Sequence, residues 1–358
     1  MLCKKAVRLL CLTALLSLIP MFVVNANAQV SRADMHEAAL VVGNFGASPT
    51  DGVLRYNWRG VLIDNMVPIG TEGLIVSCCM TFGPDENLYV SNPAAGEVLR
   101  FNGVTGAFID KFIPPGTGGL AIPLLLLFHH GYLYVGDTGA GAIRRYDAKT
   151  GAYVDNLIPD NSQGMGTFGD LQHFAFGPDH TLYVAAQISE RVLKFDSDTG
   201  AFIGDFIPKS EGFSPSGLIF GPDRLMYVGS YESGEVRQYN VRTESYRVLV
   251  PAGTAAPAGP VGITFGPDGK LYIAEAGPLG NGYASSAILR YDTKRQLLET
   301  LVPSGGDVLS GPRAITWKVK TTVCHHPPGN HEKSRTLRIG YLSATDHLRH
   351  GDTLGSCP

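Results

Sequence analysis

Four copies of Phe-Gly-Pro-Asp, opening at Phe82, Phe176, Phe220 and Phe265, each precede a core of the Leu-Tyr-Val type by a few residues. Recurrence at a fixed period constrains a chain more than any single motif, because every copy must build the same unit and the units must stack. The core anchors Tyr89, Tyr134, Tyr183, Tyr227 and Tyr272 are spaced by 45, 49, 44 and 45 residues, and Val41 in LVVGN supplies a sixth, 48 residues before Tyr89. Each unit reads as four short strands, here called A to D, exemplified by GITFGPD, KLYIAE, AILRYD and AFIDKFIP. Their hydrophobic alternation has a period of two, so each strand has a buried face. Pro-Asp-Gly between A and B, and Asp-x-x-Thr-Gly between C and D, supply turn chemistry.

Four strands in about 45 residues is the size of a propeller blade. The first unit, from Glu37 to Pro68, has B, C and D strands but no A, whereas GPRAITW at 311–317 is an A strand with no blade of its own. Pairing the two completes six blades and removes the open edges that invite aggregation. The expected fold is therefore all-β: a six-bladed β-propeller closed by its C-terminal A strand, with a small C-terminal appendage. A seventh, degenerate unit is the alternative.

The pattern FGPDGxLYV...VLRYDxxTGxFI resembles the NHL-repeat and gluconolactonase-like group of six-bladed propellers, in particular repeats of exported bacterial proteins. The resemblance covers residues 36–317. It implies the fold and leaves activity open, since such propellers include hydrolases, lyases and binding proteins.

Before the repeats, MLCKKAVRLLCLTALLSLIPMFVVNANA places Lys4, Lys5 and Arg8 ahead of an apolar run that ends in small residues, the layout of a cleavable secretory signal. Cleavage after Ala28 is expected, with a retained membrane anchor as the alternative. The domain reading is a signal peptide at 1–28, a linker at 29–35, the propeller at 36–317 and a Cys/His-rich module at 318–358. Loss of the signal takes the formal charge from −3 to −6, which argues against a nucleic-acid partner. LAIPLLLLF at 120–128 is too short to span a bilayer. No membrane span is expected after cleavage, and the product is periplasmic or extracellular.

In blades of this kind A strands line a central channel, and residues at A-strand starts and B-strand ends gather around one mouth. Four residues before the aromatic of each A strand stand Cys78, Leu124, Gln172, Ser216, Val261 and Arg313. Gluconolactonase-like enzymes hold a divalent cation on carboxylates and amides at such positions. No carboxylate occurs among these six, so that metal site is expected to be absent. Streptogramin-lyase-like propellers use His and acidic groups there, and His173 is the matching imidazole, either catalytic or merely packed. Three residues after the B anchors come Asn44, Asn92, Asp137, Ala186, Ser230 and Glu275. Asn44, Asn92, Asp137 and Glu275 are the ligand-binding candidates, against a bracing role on turn backbone. His173, Asp137 and Glu275 together are the catalytic candidates. Enlarged B–C loops in blades one and six, GNFGASPTDG and EAGPLGNGYASS, would raise one wall of the rim.

Cys78 and Cys79 lie on an A strand, where alternation sends one into the core and the other toward the channel; a strained vicinal disulfide is the alternative. FHHG replaces FGPD in the third unit, so His129 and His130 sit in the A–B turn, on the opposite face. The tail resembles a short C-terminal module of exported bacterial proteins, with CHxPPGN at Cys324, His325, Pro327, Pro328, Gly329 and Asn330, and HxxHGDxxGxC at His347, His350, Gly351, Asp352, Gly355 and Cys357. A Cys324–Cys357 disulfide is expected to clamp a segment too small for its own core. The competing reading is a metal held by His325, His347, His350 and Asp352, with one short helix from Ser343 to Gly351. No cofactor is predicted apart from that divalent metal. The leading reading is a binding or interaction module for an unknown small molecule, glycan or protein at the channel mouth. A hydrolase or lyase at the same mouth is the alternative, and a structural envelope protein the third.

Overall fold

A computed structural model of the chain describes residues 37–45, 51–166, 168–210, 212–253, 259–277, 286–303, 309–326, 334–340, 353–354 and 357. The expected signal and linker, 1–35, lie outside the described residues. Six four-stranded antiparallel sheets form a six-bladed propeller. The innermost A strands are Pro312–Lys318, Met80–Phe82, Pro123–His129, Leu171–Phe176, Pro215–Phe220 and Pro260–Phe265 in blades one to six. Their B neighbours are Ala39–Asn44, Leu88–Asn92, Tyr132–Asp137, Thr181–Ala186, Met226–Ser230 and Leu271–Glu275. The ring closes as the unit count requires: Val41 pairs Thr316, Val42 pairs Ile315 and Gly43 pairs Ala314. Among the described residues no helix is long and apolar enough to cross a membrane.

Strand alternation divides the core into wedges between neighbouring blades. Leu40 and Val42 point one way and join Tyr272, Ala274 and Ile288 of blade six. Val41 points the other way and joins Met80, Phe82 and Leu88 of blade two.

The repeated motif is explained by these wedges. The Tyr of each B strand meets the A-strand aromatic of the next blade: Tyr89 with Phe128, Tyr134 with Phe176, Tyr183 with Phe220, Tyr227 with Phe265 and Tyr272 with Trp317, all edge-on at centroid distances of 4.8, 4.9, 5.4, 4.9 and 4.8 Å. Such pairs add about 0.5–1.5 kcal/mol each beyond area burial. The motif Asp accepts a hydrogen bond from the same tyrosine's hydroxyl, at 3.0 Å for Asp85–Tyr89, 2.9 Å for Asp179–Tyr183, 2.8 Å for Asp223–Tyr227 and 3.0 Å for Asp268–Tyr272. The motif Gly is required by space: a Cβ on Gly221 would stand 2.6 Å from the Tyr227 ring and 2.6 Å from the Asp223 carboxylate. In blade three, where FHHG removes the Asp, His129 instead stacks on Phe176 at 4.1 Å and on His130 at 3.9 Å.

After Lys318 the chain enters a separate three-stranded sheet, with Lys320–His325 between Arg335–Gly340 and Thr353–Leu354. Cys324 and Cys357 are joined by a disulfide with Cα atoms 4.7 Å apart.

Because Tyr227 is fully enclosed, Gly221→Ala is expected to destabilise the chain by about 1–3 kcal/mol through overpacking. Tyr227→Phe, which deletes only the hydroxyl, should cost about 1 kcal/mol. Urea unfolding of the two variants beside the parent measures both, and a Gly221→Ala cost clearly below about 1 kcal/mol would contradict the steric account.

Candidate functional site

All six mouth positions, Cys78, Leu124, Gln172, Ser216, Val261 and Arg313, line one cavity of about 60 Å³ at the head of the channel. They reach it through a shared irregularity. In blades three to six the A–B register slips just after the first A-strand residue, between Pro123 and Leu126, Leu171 and His173, Pro215 and Leu218, and Pro260 and Gly262. Blade one slips in the same way between Pro312 and Ala314. A bulge breaks alternation and re-aims side chains, so consecutive residues share the cavity: Cys78 with Cys79, Leu124 with Leu125, and Gln172 with His173. The expectation that Cys78 and Cys79 diverge is thus corrected. Regular pairing in blade two begins only at Met80, and both cysteines are free and line the cavity. The recurrent Pro at A-strand starts was the available signal, since Pro inside sheets is confined to strand starts, edges and bulges.

At the B-strand ends the polar residues grip backbone. Asn92 Oδ1 accepts from the amides of Ile75 and Val76 at 3.1 and 3.4 Å. Asp137 accepts from those of Ala121 and Ile122 at 3.0 and 2.9 Å. Asn44 accepts from Ser310 N at 2.8 Å, and Ser230 Oγ from Ser214 N at 3.1 Å. In every case the amide belongs to the D–A loop just before the strand ladder begins, where it lacks a main-chain partner. Blade four, with Ala186 at this position, inverts the device: Asp170 in the loop accepts from Ser189 N at 2.8 Å.

Asp137 is fully buried and also takes Arg144 Nε at 2.9 Å. Arg144 in turn donates to Gly118 O and Asn156 Oδ1, both at 3.0 Å. Arg144 stands where the C strands of four other blades carry Leu54, Leu99, Leu193 and Leu289 and blade five carries Arg237, and it is in blade three that this Arg coincides with an Asp at the B-strand end.

Glu275 departs from the pattern. Its side chain is buried and Oε2 has no partner among the described residues. Burial pushes its pKa up to about 8. It pairs with Pro260 at the strand start and does not line the channel. His173 does line it, with Nδ1 shielded and without a partner among the described residues, and burial lowers its pKa to about 4. The imidazole is therefore neutral at neutral pH. Of His173, Asp137 and Glu275, only His173 faces the cavity. Arg313 supplies positive charge at the mouth and lies over the Phe45 ring at 4.7 Å.

Among the described residues no three His, Cys, Asp or Glu side chains lie close enough together to hold a metal ion. In the tail His326 Nδ1 meets Ser334 Oγ at 2.7 Å. His347, His350, Asp352 and the helix expected from Ser343 to Gly351 lie outside the described residues, as do most of the enlarged loops of blades one and six.

No protein-family model and no curated protein matches the sequence. Solved structures do resemble it in fold. A chain of the nidogen–laminin complex superposes with a TM-score of 0.60 at 13% identity, over 78% of this chain and 98% of that one. A putative 6-phosphogluconolactonase from Bacteroides fragilis gives 0.54 at 13%, over 80% and 99%. A streptogramin B lyase gives 0.50 at 14%, over 90% and 89%. At such identities the likeness is one of propeller architecture.

Two outcomes follow from the buried charges. Arg144→Met, which strands the Asp137 carboxylate, is expected to cost about 3–5 kcal/mol in chemical denaturation. Glu275 has a folded-state pKa above its unfolded one, so its ionisation in the unfolded chain favours unfolding as pH rises from the usual glutamate range toward about 8. Glu275→Gln should therefore match the parent in stability near pH 4 and exceed it increasingly toward about pH 8; a constant difference across that window would show that the carboxyl is not held neutral.

Proposed function

We propose that this chain is an exported binding module whose partner, a protein or glycan, rests on the rim of the face that carries the D–A and B–C loops. The observation that carries the reading is the narrowness and chemistry of the channel head. A cavity of about 60 Å³ admits a few waters, which favours a partner lying across the rim over a substrate drawn inside. Its lining offers one neutral imidazole and no carboxylate, whereas general acid–base catalysis wants a group poised near the working pH. Asp137 is occupied by two amides and a guanidinium. Asn44 and Asn92 are likewise occupied in bracing.

Export is supported by the signal-like N terminus and by the Cys324–Cys357 bridge, since such bonds persist in oxidising compartments. The competing hydrolase or lyase reading draws on His173, whose Nδ1 has no partner among the described residues.

The test is turnover. Purified protein, with and without added Ca²⁺ or Mg²⁺, is incubated with gluconolactone and with a cyclic depsipeptide lactone, and products are followed by mass spectrometry. The expected result is no conversion above the uncatalysed rate. Conversion that disappears in His173→Ala would replace the binding reading with the enzymatic one.

A further inference from the structure

We propose that Cys78 and Cys79 form a chelating site for one soft monovalent cation, Cu(I), at the head of the channel. Both cysteines are free and both line the same cavity. The irregular strand start places consecutive side chains on one side, which a regular strand cannot do. Ser91 holds that segment in place, its hydroxyl accepting from Cys79 N at 3.1 Å and donating to Cys79 O at 3.0 Å.

The two sulfurs are poorly placed to bond to each other. Adjacent Cα atoms are about 3.8 Å apart across a trans peptide, below the roughly 4.4 Å at which ordinary disulfides begin. The pair therefore persists as a dithiol more readily than the Cys324–Cys357 pair would.

Ligand softness and number select the ion. A hard cation needs several oxygens, and the cavity lining has no carboxylate. Structural zinc needs four ligands, and no three candidate ligands converge among the described residues. Thiolate sulfur suits Cu(I), which is satisfied by low coordination numbers. Charge agrees with the assignment. Two thiolates and one Cu(I) carry a net single negative charge, and Arg313 lines the same cavity. The thiol protons leave when the metal takes their place. Binding is thus an exchange of Cu(I) for thiol protons, with no change of oxidation state.

The test is a titration of the full chain carrying Cys3→Ser and Cys11→Ser, with Cu(I) held reduced by ascorbate under anaerobic conditions, in competition with a chromophoric Cu(I) chelator. One Cu(I) per chain is expected. Affinity should rise about 10- to 100-fold per pH unit, according to whether one or two protons are released. Cys78→Ser and Cys79→Ser should each weaken binding by about 100-fold or more, and Arg313→Gln by about 10-fold. X-ray absorption at the copper edge of the parent should show sulfur neighbours, a readout that does not depend on any variant folding. A shell of only nitrogen and oxygen, or either serine variant binding within about 3-fold of the parent while folded by circular dichroism, would overturn the site. The rim-binding reading could fail without affecting this result, because turnover of lactones involves neither thiol.

Discussion

The antiparallel ladder between Pro312–Lys318 and Ala39–Asn44 is the constraint on which the remaining structure depends. Without it, blade one would lack its inner strand and blade six its neighbour, and two unpaired edges would face solvent. The channel would also lose one wall, and Arg313 would no longer stand beside Cys78 and Cys79 in the same cavity. The ladder joins segments about 270 residues apart in sequence, so its formation carries the entropy of closing the longest loop in the fold. Trp317 against Tyr272, with Ile315 packed beside Leu40 and Val42, offsets that cost by burying the seam.

The same four-letter motif serves both the blade and its neighbour. Its aromatic is a wedge for the preceding blade, its Asp holds the Tyr that receives the next wedge, and its Gly leaves room for that Tyr. This coupling is why the repeat was so legible. A residue fixed by contacts with two blades can vary little, and the count of such residues gives the count of blades. The open strand at each end of the repeat likewise announced the closure, because an A strand without a blade and a blade without an A strand have one economical solution.

The mouth was legible only in part. Position relative to the wedge aromatic identified the six channel residues, since each blade repeats the same spacing. What spacing could not convey was the local break in pleating, which turns Cys78 and Cys79 to one side and brings His173 in beside Gln172. Alternation is a property of regular pairing, and at those residues the A–B register slips or pairing has only just begun. The role of the B-strand ends was also blurred by chemistry: Asn, Asp and Ser bind ligands and brace turns with the same atoms. Position decided between these uses here, because each side chain meets amides that the main chain leaves unpaired. The result is a mouth whose accessible chemistry is thiol, neutral imidazole and guanidinium, while carboxylates such as Asp137 and Glu275 are committed to or hidden in the walls.

Only Val319 separates the closing strand Pro312–Lys318 from the tail strand Lys320–His325. The appendage therefore has no slack tether. Any anchor that seizes the disulfide-clamped tail transmits its pull almost directly into the clasp of the ring, so tension at the C terminus is felt first by the bonds that keep the propeller shut.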